Sequence, residues 1–138
     1  MPAFRAAGIS ADEIVVLKRK FDGRPAEVQR AALNTLAHIC STRRPRLPDL
    51  LFVTDDYVAS GILTAFDRFG IRIPDDVKFV CWANSGLGPV YHKNLTRMEI
   101  DPIRHGRTIA DAAIRFLHGS DFRPDIEIAP VWMDGDTF

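Results

Sequence analysis

From residue 14 onward, short β-branched or apolar runs alternate with longer stretches whose apolar positions recur at helical spacing. That alternation predicts an α/β fold, a mostly parallel sheet flanked by helices in three αβα layers. Ile14 to Leu17 is a strand candidate. After the turn-rich FDGRP, Val28, Ala32, Leu36 and Cys40 recur every four residues and mark one face of a helix, which STRRPRLPD then breaks. Arg43, Arg44 and Arg46 fall in that break, a position that suits a solvated loop. Leu50 to Thr54 (LLFVT), bounded by turn formers, has the pattern of a central strand buried on both faces. Val58, Ile62, Ala65, Phe66 and Phe69 then share one helical face, and Gly70 stands where a helix closes in the left-handed conformation.

IRIPDD is a connecting turn, VKFVCW (Val77 to Trp82) the next strand, and Leu95 to Ile100 a further extended segment after the Gly-rich SGLGP. Asp101 followed by Pro102 is an N-cap with proline at the first helical position. The helix it opens carries Ile103, Ala110, Ala113, Ile114 and Leu117 on one stripe and ends at Gly119, and Ile126 to Met133 is a final strand.

Composition narrows the function classes. Hydrophobic residues make up 46% and charged ones 26% of the 138 residues, an ordinary globular balance. No apolar run approaches the roughly 20 residues that cross a bilayer. The 18 basic and 18 acidic residues cancel, so no whole-molecule attraction to nucleic acid is expected. Cys40 and Cys81 lie in apolar contexts without a CxxC, which fits reduced core thiols in a cytoplasmic protein.

In open parallel sheets, ligands bind beyond the carboxyl ends of the strands, where loops converge and helix N-termini present free N–H groups. Two such ends carry suitable chemistry here: Thr54, Asp55 and Asp56 after one strand, and Trp82, Asn84 and Ser85 after another. Carboxylates and an amide bind hydroxyls, and an indole packs against the apolar side of a sugar ring. Phe21, at the end of the first strand region, is a third contact candidate. Each has a structural alternative, helix capping for Asp55 and Asp56 and core packing for Trp82 and Phe21.

The stretch Pro48 to Asn84 (PDLLFVTDDYVASGILTAFDRFGIRIPDDVKFVCWAN) resembles the lactose and purine repressor family and the related periplasmic sugar-binding proteins. Their pattern is strand, Asn-Asp-x-x-Ala-x-Gly helix, Gly-x-x-(Val/Ile)-Pro-x-Asp turn, strand. Asp55, Asp56, Ala59, Gly61, Gly70, Pro74 and Asp76 occupy those places. Downstream, LTRMEIDPIRHGRTIADAAIRFLHG resembles the family's Leu-Thr-Thr-Val-x-Gln-Pro segment and the helix after it. The resemblance implies an incomplete effector-binding domain of the periplasmic-binding-protein type across residues 1–138. It implies no catalysis, cofactor or metal, a small polar effector, commonly a sugar, and a homodimer. DNA contact would come only through a helix-turn-helix that this stretch lacks, with no membrane partner. Phe21, Asp55, Asp56, Trp82 and Asn84 are the expected effector contacts. The family's Gly-(Phe/Tyr)-Asp-Asp is Cys81, Trp82, Ala83 and Asn84 here, so an acidic effector contact becomes Ala83, and the usual Asn before Asp56 is Asp55.

Other readings fit less well. VWMDGDTF imitates the nucleophile loop of aspartyl-phosphate phosphatases, which needs a downstream domain to supply a lysine and metal-binding acids. A response-regulator receiver needs an early acidic cluster and a late lysine around its acceptor. SGLGP lacks the Gly-x-Gly-x-x-Gly spacing, and His38, His92, His105 and His118 lack metal spacing. A periplasmic sugar carrier shares the expected fold, and the cysteine usage together with the turn GIRIPDDVKFV favours the regulator. In the intact family fold the helix from Ile103 would cross into a second lobe, so the isolated chain is expected to expose apolar surface and associate. Light scattering should therefore show oligomers, and a monodisperse, highly stable monomer would contradict this expectation.

Overall fold

The computed structural model describes residues 6–8, 10, 23–42, 47–119 and 126–138. The chain runs α1 (Pro25–Thr42), β1 (Leu50–Val53), α2 (Asp56–Phe69), β2 (Lys78–Asn84), β3 (Thr96–Ile100), α3 (Pro102–Leu117) and β4 (Val131–Met133). The expected strand over residues 14–17 and Phe21 lie outside the described residues.

Local chemistry sets the helix ends where the sequence places them. Asp55 adopts an extended conformation (φ −143°, ψ 129°), and its Oδ1 accepts a 2.8 Å hydrogen bond from the backbone N–H of Val58. At the other end Gly70 closes α2 at φ 66°, a left-handed conformation that glycine adopts without a Cβ penalty. Asp101 accepts from the N–H groups of Ile103 and Arg104 at 2.9 and 3.0 Å, and Pro102 fills the first turn of α3.

The strands form a sheet in the order β1-β2-β3-β4, with β1, β2 and β3 parallel and β4 antiparallel to β3. Alternation along each strand divides the side chains between two faces. Leu51 pairs with Phe79 and Val53 with Cys81, and these four face α2. There they meet Ala59, Leu63 and Phe66, with the Phe66 and Phe79 rings edge to face at 6.2 Å. Helix α1 packs against α2 at Gly61, where an added Cβ would stand 2.2 Å from the carbonyl oxygen of Gln29.

Among the described residues β1 stands at one end of the sheet, not at its centre, and Leu50 and Phe52 are each 44% exposed. The expectation of burial on both faces fails because an apolar run of four residues does not reveal its neighbours. The two-sided burial belongs to β2, where Phe79, Val80, Cys81 and Ala83 are all buried. The final strand is also shorter than its apolar run, with strand pairing confined to Val131–Met133.

The segment after β4 ties the amino-terminal ends of β2 and β3 together. The Thr137 hydroxyl, fully buried, donates to the Phe79 carbonyl at 2.9 Å and accepts from the Thr96 N–H at 2.8 Å. Asp136 accepts from the Asn94 side-chain amide, and Gly135 lies so close to the Asn94 and Leu95 backbone that a Cβ would fall 2.4 Å from it. In contrast, α3 buries none of its residues, and Ile103, Ile109, Ile114, Phe116 and Leu117 are exposed.

Two glycine-to-alanine changes should separate packing from propensity. Gly61→Ala must push α1 from α2 and should cost on the order of 1–3 kcal/mol in urea unfolding. Gly106→Ala, in α3 with nothing within 4 Å of the new Cβ, should be neutral or stabilising by up to about 1 kcal/mol.

Candidate functional site

Parallel pairing brings the carboxyl ends of β1, β2 and β3 to one edge of the sheet, away from the Thr137 strap. The chain turns polar as each strand leaves the core. Thr54 and Asp55 follow Val53 and are exposed, and Asp56 is half-buried in the first turn of α2. Asn84 ends β2 and Ser85 follows it, both exposed, and the Ser85 N–H donates to the Ile100 carbonyl at 2.8 Å, fixing this end of β2 against β3. Asp55, Asp56 and Asn84 are therefore gathered at these strand ends.

Trp82 occupies a different position. It pairs with Met98 on the sheet face opposite α2 and is half-buried, so it flanks the strand ends from that side. Asp55 uses Oδ1 as the helix cap, which leaves its second carboxylate oxygen available to a ligand.

The sequence analysis missed two charged residues on β3, Glu99 next to this edge and Arg97 nearer the start of the strand. Arg97 pairs with Cys81 and Glu99 with Ala83, so both lie on the α2 face of β3. The Arg97 guanidinium meets the Glu99 carboxylate at 2.9 Å, with their side chains only 28% and 13% exposed. Arg97 Nε is buried and has no hydrogen-bond acceptor among the described residues. Gly88, from the loop after β2, lies over Ala83 and Arg97, and a Cβ there would meet them at 3.2 and 3.4 Å. The available signal was the i, i+2 spacing of opposite charges in a strand, which puts both on one face. Cys81 reports on the same neighbourhood. Burial pushes its thiol up to about 11, Arg97 opposes that rise, and Asp56 adds to it.

The tempting DGDT acids do not belong to this edge. Asp134 accepts from the Trp132 indole N–H at 2.7 Å, and Asp136 is bonded to Asn94. Both follow β4, and Asp136 anchors the strap to Asn94.

Residues 2–138 match the family described as periplasmic binding protein-like domain. Among characterised proteins, the chain is similar to the HTH-type transcriptional repressor PurR of Photobacterium profundum, 30% identical over 61 residues. It is also similar to the HTH-type transcriptional regulator GalR of Streptococcus thermophilus, 31% identical over 65 residues. These alignments cover 44% and 47% of this chain and 18% and 20% of those relatives' lengths. A LacI family transcriptional regulator from Arthrobacter sp. FB24, solved in complex with lactose, superposes with a TM-score of 0.66 at 19% identity. That superposition covers 79% of this chain and 41% of the Arthrobacter chain and establishes a shared fold.

Two measurements check the local geometry. Asp55→Ala removes the cap of α2 and should destabilise the protein by about 0.5–2 kcal/mol. Because the Cys81 thiol titrates only near pH 11, iodoacetamide at pH 9 should label it at least tenfold more slowly in the native chain than after unfolding. Equal rates would place the thiol at the surface. The raised value also means that stability present below pH 9 should decline as pH rises toward 11, since only the unfolded chain ionises there.

Proposed function

The chain belongs to the periplasmic binding protein-like domain family, and from that premise we propose that it is the effector-sensing part of a lactose-repressor-type transcription regulator. The observation that carries this reading is the change from apolar core to polar groups at the carboxyl ends of three parallel strands. That is where an α/β sheet offers a ligand both side-chain hydrogen bonds and helix N-terminal N–H groups. In this proposal Asp56 and Asn84 bond the hydroxyls of a small polar effector, Asp55 shares its carboxylate between cap and ligand, and Trp82 lines the pocket's flank. Phe21 is the further aromatic contact.

A sugar is the first effector to consider, since the Arthrobacter regulator was solved with lactose. Both curated relatives are transcription regulators, which favours this role over a transport carrier. The working unit we envisage is a cytoplasmic homodimer whose helix-turn-helix heads lie outside the 138 residues. Effector binding would shift the relative population of lobe arrangements and so the spacing of those heads. The chemistry assigned to these residues is recognition, with no catalytic step.

A thermal-shift screen of the intact protein against neutral sugars and purines tests the proposal. A ligand at a hundredfold excess over its Kd should add about 2.7 kcal/mol to stability. Asp56→Ala and Trp82→Ala should abolish that shift, each measured against the variant's own ligand-free melting temperature. No stabilisation by any sugar or purine would remove the effector reading.

A further inference from the structure

Helix α3 turns its apolar half away from the rest of the described chain. Ile103, Gly106, Ile109, Ala110, Ile114 and Leu117 fall on one continuous half of the helix, and Arg104, Arg107, Asp111 and Arg115 fall on the other. The half-buried positions, His105, Thr108 and Ala112, belong to the polar half, so what shelter the helix has lies on its polar side. The four large apolar side chains at 103, 109, 114 and 117 are between 53% and 80% exposed. No other described element packs extensively against α3. Single apolar side chains at a surface are ordinary, whereas a contiguous apolar half-cylinder marks an interface.

The spacing along α3 fits one occupant. Positions 103, 106, 110, 114 and 117 are symmetric about Ala110. A second α3 laid antiparallel across the first sets Ile103 against Leu117 and Gly106 against Ile114 on both sides of a two-fold axis. Gly106 has nothing within 4 Å of where a Cβ would stand, which leaves a hollow for the isoleucine. Arg107 and Asp111 stand one turn apart along the border of the apolar half, and no ion pair joins either to another described residue. Antiparallel pairing apposes like flanks, so Arg107 of each copy meets the partner's Asp111, whereas parallel pairing sets that flank against Ile109.

We infer that α3 is a self-association surface whose occupant is α3 of a second copy of this chain, antiparallel and in register about Ala110. The inference is independent of the effector reading, since no ligand and no residue of the strand ends enters it. A helix of 16 residues is about 24 Å long. One face of that length falls short of the roughly 800 Å² per partner of a standard stable interface, so the pair is a weak dimer that dissociates on dilution.

Sedimentation equilibrium of the 138-residue chain across the micromolar range, without ligand, tests this. The expected result is a reversible monomer–dimer equilibrium. Ala110→Glu, at an exposed position, sets two carboxylates face to face at the axis and should weaken the dimer about tenfold or more, with the circular-dichroism spectrum unchanged. Arg107→Asp should weaken it about threefold or more, and Arg107→Asp combined with Asp111→Arg should restore it, a rescue that unspecific apolar clustering would not show. The concentration series on the unaltered chain needs no variant, so self-association stays testable if a substitution impairs folding. A chain that is monomeric at every concentration would overturn the inference. Open-ended assembly would overturn it too, because a two-fold pair closes on itself. A dimer whose Kd is unchanged in both folded variants would put the contact on another face. Binding of a persistent monomer to vesicles of phosphatidylcholine and phosphatidylglycerol would assign the apolar half to an anionic lipid surface and overturn the second copy as its occupant.

Discussion

The packing of α2 onto β1 and β2 is the contact on which the rest of the structure depends. Leu63 and Phe66 from the helix meet Val53, Phe79 and Cys81 from the strands, and Ile73, Val77 and Leu95 complete the cluster. Burying side chains of this size contributes about 1.5–3 kcal/mol each before entropy is counted. Its geometric consequence matters as much as its energy. With α2 seated on this face, the turn at residues 54–56 must emerge at the edge where β2 and β3 also end.

The same constraint explains why the polar groups of the candidate site can exist beside a dry core. Asp55 is attached to a backbone donor of the helix it begins, and the end of β2 is tied to β3 through Ser85 and Ile100. At the opposite edge Thr137 satisfies two buried backbone groups on adjacent strands. The sheet is thus pinned at its amino-terminal edge by Thr137 and Asp136, while the carboxyl edge carries the exposed Asp55 and Asn84 and the half-buried Asp56. This difference between the two edges is what the proposed binding role of the carboxyl edge rests on, because polar groups left at a surface have hydrogen-bonding capacity to offer.

Much of this was legible in the sequence where a single residue type carries a single physical meaning. Gly70 in the left-handed conformation, Asp101 ahead of Pro102 and the periodic face of α2 all translate directly into structure. LLFV did not, because hydrophobicity reports that a strand is buried somewhere and says nothing of which strands lie beside it. The gathering of Asp55, Asp56 and Asn84 was legible as well, since it follows from parallel strand order. Arg97 and Glu99 were not, because in a linear reading two charges in RMEI look like an exposed face, and only the register with Cys81 and Ala83 turns them inward.

That register also bears on how the site and α3 are coupled. Glu99 stands two residues before Asp101, the cap of α3, and Ile100 accepts the hydrogen bond from Ser85. The three residues from 99 to 101 therefore join the charge pair, the end of β2 and the first turn of α3 through backbone alone. Helix α3 buries none of its own residues among those described, and this short connection is what joins it to the sheet. Sparse burial beside a sheet edge is the physical condition under which occupancy of that edge can be converted into movement.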